Sequence, residues 1–213
     1  MSGSHQKKTA GSKAQARRNA WRLYWMLVVA ALAVFAVMQA WSLPKLRADG
    51  MPAFDLRYLG YSFDEARAYL AALGEEGRTF YLNAQLVLDR LYPALYGPAL
   101  AIALVALDAR AGGRGWGWVL AVFAIAGMGF DWLENAAVAT MLLAGPDDLT
   151  QAMVADASSW TLLKSASLAI AFAGLLLLAL FALPGGLRRM FGQGAKTAPA
   201  VEGKAAKREK ADV

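Results

Sequence analysis

Residues 23–43 read LYWMLVVAALAVFAVMQAWSL, and this stretch decides the fold. Only Gln39 and Ser42 interrupt it as clearly polar residues. A helix needs about 20 mostly apolar residues to cross a bilayer, and this run has that length. Tyr24 and Trp25, with Trp21 just before them, mark one end and Trp41 marks the other, as interfacial aromatics do. A cleavable signal peptide would carry an apolar core of about 7–15 residues before a small-residue site. The run is longer, and Met38-Gln39-Ala40 is a poor cleavage site. It reads as an uncleaved first span.

Working outward, residues 1–22 carry Lys7, Lys8, Lys13, Arg17, Arg18 and Arg22 and no acid. Such a polar, one-sign segment predicts a disordered basic arm on the cytoplasmic side. Residues 44–82 are mixed in charge and are expected outside the membrane. Within them Ser62-Phe63-Asp64-Glu65 forms a capping box pattern. Phe63, Ala66, Tyr69, Leu70 and Leu73 then recur at helical spacing before Gly74, which predicts an amphipathic helix over 62–73. A second span is expected over 83–107, its helix starting near Thr79. Pro93 and Pro98 should kink it, and the carbonyls they free must find donors inside the protein. A turn over 108–115 leads to a third span at 116–143. A loop at 144–157 with Asp147, Asp148 and Asp156 leads to a fourth at 158–183. The basic stretch 184–213 reads as a disordered cytoplasmic tail. The predicted fold class is all-α, a four-helix transmembrane bundle with both termini cytoplasmic and a short external helix.

Composition agrees with this reading. Of 213 residues, 58% are hydrophobic and 18% charged, against about 45–50% and 25% in soluble domains. Mean hydropathy is +0.36. The net charge of +6 lies mainly in the arm, the turn and the tail. The positive-inside rule therefore puts these in the cytoplasm and makes the basic character a topology signal. The tails are suited to anionic lipid headgroups. Nucleic-acid binding is not indicated, because no recognised module or aromatic interleaving accompanies the charge. The chain holds no cysteine and one histidine, His5 in the polar arm. That excludes disulfides, thiol chemistry, iron–sulfur clusters, histidine-ligated haem or metal, and a Ser-His-Asp triad. No cofactor or metal is expected.

Ionisable groups inside a membrane are costly and point to function by default. At about 1.5 Å of rise per residue, Asp131 and Lys164 fall at similar depth, roughly 10 Å below the outer boundary. Asp131, Glu134 and Asn135 share a helix face, as do Asp89, Tyr92 and Tyr96. Gln39 and Arg90 belong to the same outer layer. Lys164 is expected to pair with Asp131 or Glu134, since an unpaired charge there would be strongly unfavourable. The candidate ligand-binding set is therefore Asp131, Glu134, Asn135, Lys164, Asp89, Arg90, Tyr92, Tyr96 and Gln39. The competing structural reading is that polar residues glue helices and a charge pair fixes register. Two acids against one base favour a site, because close acids suit proton or cation handling.

The expected function is a small non-enzymatic binding or accessory protein of the cell membrane, the inner membrane in a bacterium. It would hold a lipid-like or cationic ligand, or a partner helix from another membrane protein or a second copy. The alternative is a small membrane enzyme or proton-coupled transporter, with Asp131 and Glu134 as acid/base groups and Lys164 as their electrostatic partner. The natural absence of cysteine makes orientation testable. A single cysteine placed at Asp147 should react with an impermeant maleimide on intact cells. One placed at Gly113 should react only after the membrane is opened.

Overall fold

The computed structural model describes residues 3–183, and all regular structure among them is helical. Helix α1 spans Gly3–Val37, α2 Phe63–Phe80, α3 Leu86–Ala111, α4 Trp116–Ala144 and α5 Gln151–Ala182. Four helical stretches are long and apolar enough to cross a membrane: the later part of α1 with its extension to Lys45, α2 running on into α3, α4, and α5. The chain is a multi-pass membrane protein by this criterion. Helix α4 lies between α3 and α5, α5 also touches α3, and α1 packs against α3 from outside. Leu23, Met26, Val29, Leu32, Val122 and Leu176 are exposed, the placement expected of lipid-facing side chains.

Small residues set the helix spacing. At Gly117 a Cβ would lie 2.7 Å from the Leu104 carbonyl oxygen and 2.9 Å from the Val105 Cα, so α4 touches the α3 backbone there. Close backbone approach at small residues is how helices associate where lipid is as apolar as their side chains. The adjoining turn is organised by Asp108. Its backbone oxygen accepts from Gly113 N–H at 2.8 Å, and its carboxylate accepts from Gly115 N–H at 2.9 Å. Arg110 lies over the Trp21 ring at 5.5 Å, so this turn and the first half of α1 share one end of the bundle.

Several boundaries differ from those read in the sequence. The arm expected to be disordered is helical from Gly3 onward; its Ala, Gln, Lys and Arg are strong helix formers. Residues 184–213, expected as a tail, lie outside the described residues. The helix expected over 62–73 is present with its capping box: Ser62 N–H donates to Glu65 Oε2 at 2.7 Å, and Glu65 N–H to Ser62 Oγ at 3.3 Å. Ala66, Tyr69 and Leu70 form its buried face. Gly74 stops it, as expected, by adopting φ 68°, which only glycine takes without strain. Helix resumes at once rather than near Thr79. It passes through a π-helical turn, Tyr81–Gln85, into α3, so the break costs no loop. Pro93 and Pro98 lie within α3 without ending it. Helix α5 starts at Gln151, well before 158, because Thr150 Oγ1 caps it by accepting from Met153 N–H at 3.3 Å. The loop before it is correspondingly shorter than 144–157.

The segment between α1 and α2 folds over the end of the bundle opposite the Asp108 turn. Phe54, fully buried, has the rings of Tyr61 and Tyr69 at 4.8 Å and that of Tyr81 at 6.5 Å. The Arg57 guanidinium covers the Phe54 and Tyr69 rings at 5.3 and 4.9 Å and donates to the Pro52 carbonyl. Tyr69 Oη donates to Leu46 O at 2.8 Å, Tyr61 N–H to Ser158 Oγ at 3.1 Å, and Arg67 Nε to Pro146 O at 3.2 Å. The segment is thereby fastened to α2 and to α5, and α2 in turn to the loop between α4 and α5.

The glycines give a direct check on packing. Gly117→Ala, which drives a methyl into the α3 backbone, should cost about 1–3 kcal/mol. Gly129→Ala meets nothing within 4 Å and should be neutral or stabilise by up to about 1 kcal/mol through helix propensity. Unfolding of the purified variants in one detergent compares the two.

Candidate functional site

The polar side chains of α3, α4 and α5 converge on Lys164. It is 7% exposed, and its Nζ contacts Glu134 Oε2 directly and lies 3.6 Å from Asp131 Oδ1. Glu134 is fully buried. Its other oxygen accepts from Thr161 Oγ1 at 2.5 Å. Asp131 Oδ2 accepts from Tyr96 Oη at 2.9 Å. Each carboxylate thus holds Lys164 with one oxygen and a hydroxyl with the other. This geometry orients both acids and limits their freedom to turn away.

Helical spacing explains the convergence. Asp131, Glu134 and Asn135 lie at i, i+3 and i+4 and share a stripe. Thr161 precedes Lys164 by three residues and shares its stripe on α5. Asn135 serves α3 in a different way. Pro93 has no N–H, so the Asp89 carbonyl one turn earlier lacks its helical donor. Asn135 Nδ2–H fills that role at 2.9 Å. The requirement that freed carbonyls be satisfied within the protein is met here by a side chain of the next helix.

The remaining candidates divide. Asp89 is buried, and its Oδ1 accepts from Gln85 Nε2 at 2.9 Å. Tyr92 is half-buried, with its ring 5.9 Å from Phe35 and 5.0 Å from Tyr96. Arg90 is exposed and its side chain is not part of this group; only its backbone oxygen is engaged, by Trp132 Nε1 at 3.0 Å. Gln39 is exposed as well. It sits in a second π-helical turn, Met38–Ser42, which directs Met38 and Ser42 inward instead. Both polar residues were placed by depth alone, and depth does not fix which way a helix faces.

Four participants were not read from the sequence. Asp55 comes from the short 3-10 turn Phe54–Leu56, and its Oδ2 accepts from Tyr81 Oη at 2.8 Å. Tyr81 and Gln85 both come from the π-helical turn before α3, a distortion often found at functional sites. Thr161 is the fourth. Gln85 and Asp89 were readable as an i, i+4 pair, and Thr161 as a neighbour of Lys164. The signal for Asp55 was the run of aromatics around it, unusual in a solvated loop. Next to this layer, burial pushes the Tyr61 phenol well above its ordinary value, with Glu134 and Asp55 adding to the effect. Tyr61 stays a neutral hydroxyl.

Among the described residues no three Asp, Glu, His or Cys side chains form a metal-holding group. No protein-family model matches the chain, and neither does any curated protein or solved structure.

Removing the base should be the most damaging single change. Lys164→Met leaves two buried acids without a counter-charge and should cost about 3–5 kcal/mol. Adding Asp131→Asn and Glu134→Gln to Lys164→Met should recover much of that loss, which denaturant unfolding in mixed micelles reads.

Proposed function

We propose that this is a binding protein of the cell membrane, the inner membrane in a bacterium, whose polar layer holds a cationic, lipid-like ligand. The observation that carries the reading is charge imbalance. Asp89, Asp131 and Glu134 are buried beside one buried base, Lys164, with Asp55 at their edge. An acid-rich layer in a low-dielectric bundle is stabilised by an added positive group. The rings of Phe35, Tyr92 and Tyr96 pack in a row that ends at Asp131 through the Tyr96 hydroxyl, and aromatic faces attract cations and accept alkyl chains. Helix α1, which contributes Phe35, is also the outermost helix, so a chain-bearing ligand has a route from the lipid.

Orientation follows from charge. Arg17, Arg18, Arg22, Arg110 and Arg114 gather at the end with the Asp108 turn. The positive-inside rule assigns that end to the cytoplasm. The Phe54 segment, α2 and the loop with Asp147 and Asp148 then face outward, and the polar layer belongs to the outer leaflet. The basic termini would rest on anionic headgroups.

Thermal unfolding in maltoside micelles tests the ligand class. Dodecyltrimethylammonium should raise Tm relative to an uncharged dodecyl ether of equal chain length. The Asp131→Asn/Glu134→Gln variant should lose that difference, whatever its own Tm. Equal responses to the two amphiphiles, or an unchanged difference in the variant, would remove the basis for this reading.

A further inference from the structure

Asp55 and Asp89 form a second arrangement, separate from the Lys164 group. Each uses one oxygen in an ordinary way: Asp55 Oδ2 accepts from Tyr81, and Asp89 Oδ1 accepts from Gln85. The other oxygens, Asp55 Oδ1 and Asp89 Oδ2, are buried and find no donor among the described residues. Tyr81 and Gln85, which hold these two acids, stand one turn apart in the same π-helical turn, so both carboxyl groups belong to one side of it. Two acceptors cannot bond one another and neighbouring carboxylates repel, so one positive charge between them would satisfy both orphan oxygens.

The surroundings supply more oxygen. Gln85 is fully buried and Asn135 is 3% exposed. Their amide nitrogens are engaged with Asp89, one on its carboxylate and one on its backbone oxygen. Their amide oxygens, Gln85 Oε1 and Asn135 Oδ1, are also buried and find no donor among the described residues. Two carboxylate and two amide oxygens, with no nitrogen or sulfur, make a hard-cation donor set. Calcium takes about six to eight oxygens, and magnesium keeps several waters. Four side-chain oxygens in a closed setting suit a smaller charge.

We propose that Asp55 and Asp89 bind one monovalent cation, Na⁺ or H⁺, and that this charge fastens the Phe54–Leu56 turn to α3. The site shares Asp89 and Asp55 with the acid-rich layer of the amphiphile reading, but its occupant is different and its test turns on Asp55, where the amphiphile test turns on Asp131 and Glu134, so either can fail alone. The charged and titratable groups facing it are Tyr81 from the π-helical turn, Tyr69 from α2, Tyr61 and Arg57 from the covering segment, Asp131 and Glu134 from α4, and Lys164 from α5. Of these only Lys164 and Arg57 carry positive charge. Lys164 is engaged by Glu134 and Asp131, and Arg57 by the Pro52 carbonyl and three aromatic rings.

The test is the full chain in maltoside micelles, its Tm measured in choline chloride, potassium chloride and sodium chloride from about pH 5 to about pH 9. A folded state that keeps a proton the unfolded state releases loses stability as pH rises. If the occupant is H⁺, Tm falls with pH equally in all three salts. If it is Na⁺, sodium alone restores Tm at high pH, in proportion to the logarithm of its concentration. Asp55→Asn places an amide donor against Asp89 and should abolish either response. A local readout on the wild type accompanies it: tryptic cleavage after Arg57 should speed several-fold when the cation is withdrawn. A Tm and an Arg57 cleavage rate indifferent to both pH and sodium would overturn the proposal. So would an Asp55→Asn protein that keeps the wild-type response.

Discussion

One buried lysine answering two buried carboxylates is the constraint around which the helices are arranged. A charge removed from water is tolerated only if it is paired and its remaining valences are met. Lys164 satisfies this through Glu134 and Asp131, and each acid is completed by a hydroxyl from another position, Thr161 or Tyr96. The ion pair alone joins α4 to α5, and Tyr96 brings in α3. A rotation of any of these three helices by one residue would point a charge at lipid. The small residues at the crossings then set how closely the helices approach, within a rotation the charges have already fixed.

The second organising element is the pair of acids from different structural classes. Asp89 belongs to a long helix, and Asp55 to a turn in a polar connection. They come to one side of the bundle because Phe54 anchors the turn among Tyr61, Tyr69 and Tyr81, and because Tyr81 and Gln85, which hold them, share the π-helical turn. The connection is therefore part of the bundle interior. Its aromatic residues do the anchoring, and its one buried-side carboxylate joins the polar layer.

Much of the architecture was legible because it follows from simple counts. Run length gave the spans, the capping box gave the start of α2, and i, i+3, i+4 spacing put Asp131, Glu134 and Asn135 on one face. What was missed has a common cause. Gln39 and Arg90 were assigned by depth, yet the direction a side chain faces depends on helix rotation, and the turn at Met38–Ser42 is π-helical rather than α-helical. An extra residue per turn resets the face, and no local pattern announces it. Asp55 was missed because a loop's path is set by tertiary anchors such as Phe54, which periodicity does not report. The early start of α5 was signalled by Thr150, a capping residue standing just after two aspartates.

Pro93 and Asn135 illustrate a dependence that reaches beyond stability. The proline leaves the Asp89 carbonyl bare, and the asparagine on the neighbouring helix covers it. Loss of Asn135 alone would strand that carbonyl. Loss of Pro93 alone would restore the helical donor, and the carbonyl, with two lone pairs, could accept from both. Losing Asn135 therefore costs more with Pro93 in place than without it, so the two sites are coupled in the sense that their effects do not add. In descendants of this sequence a donor at position 135 should be kept wherever Pro93 is kept, and that dependence would record the packing of α3 against α4.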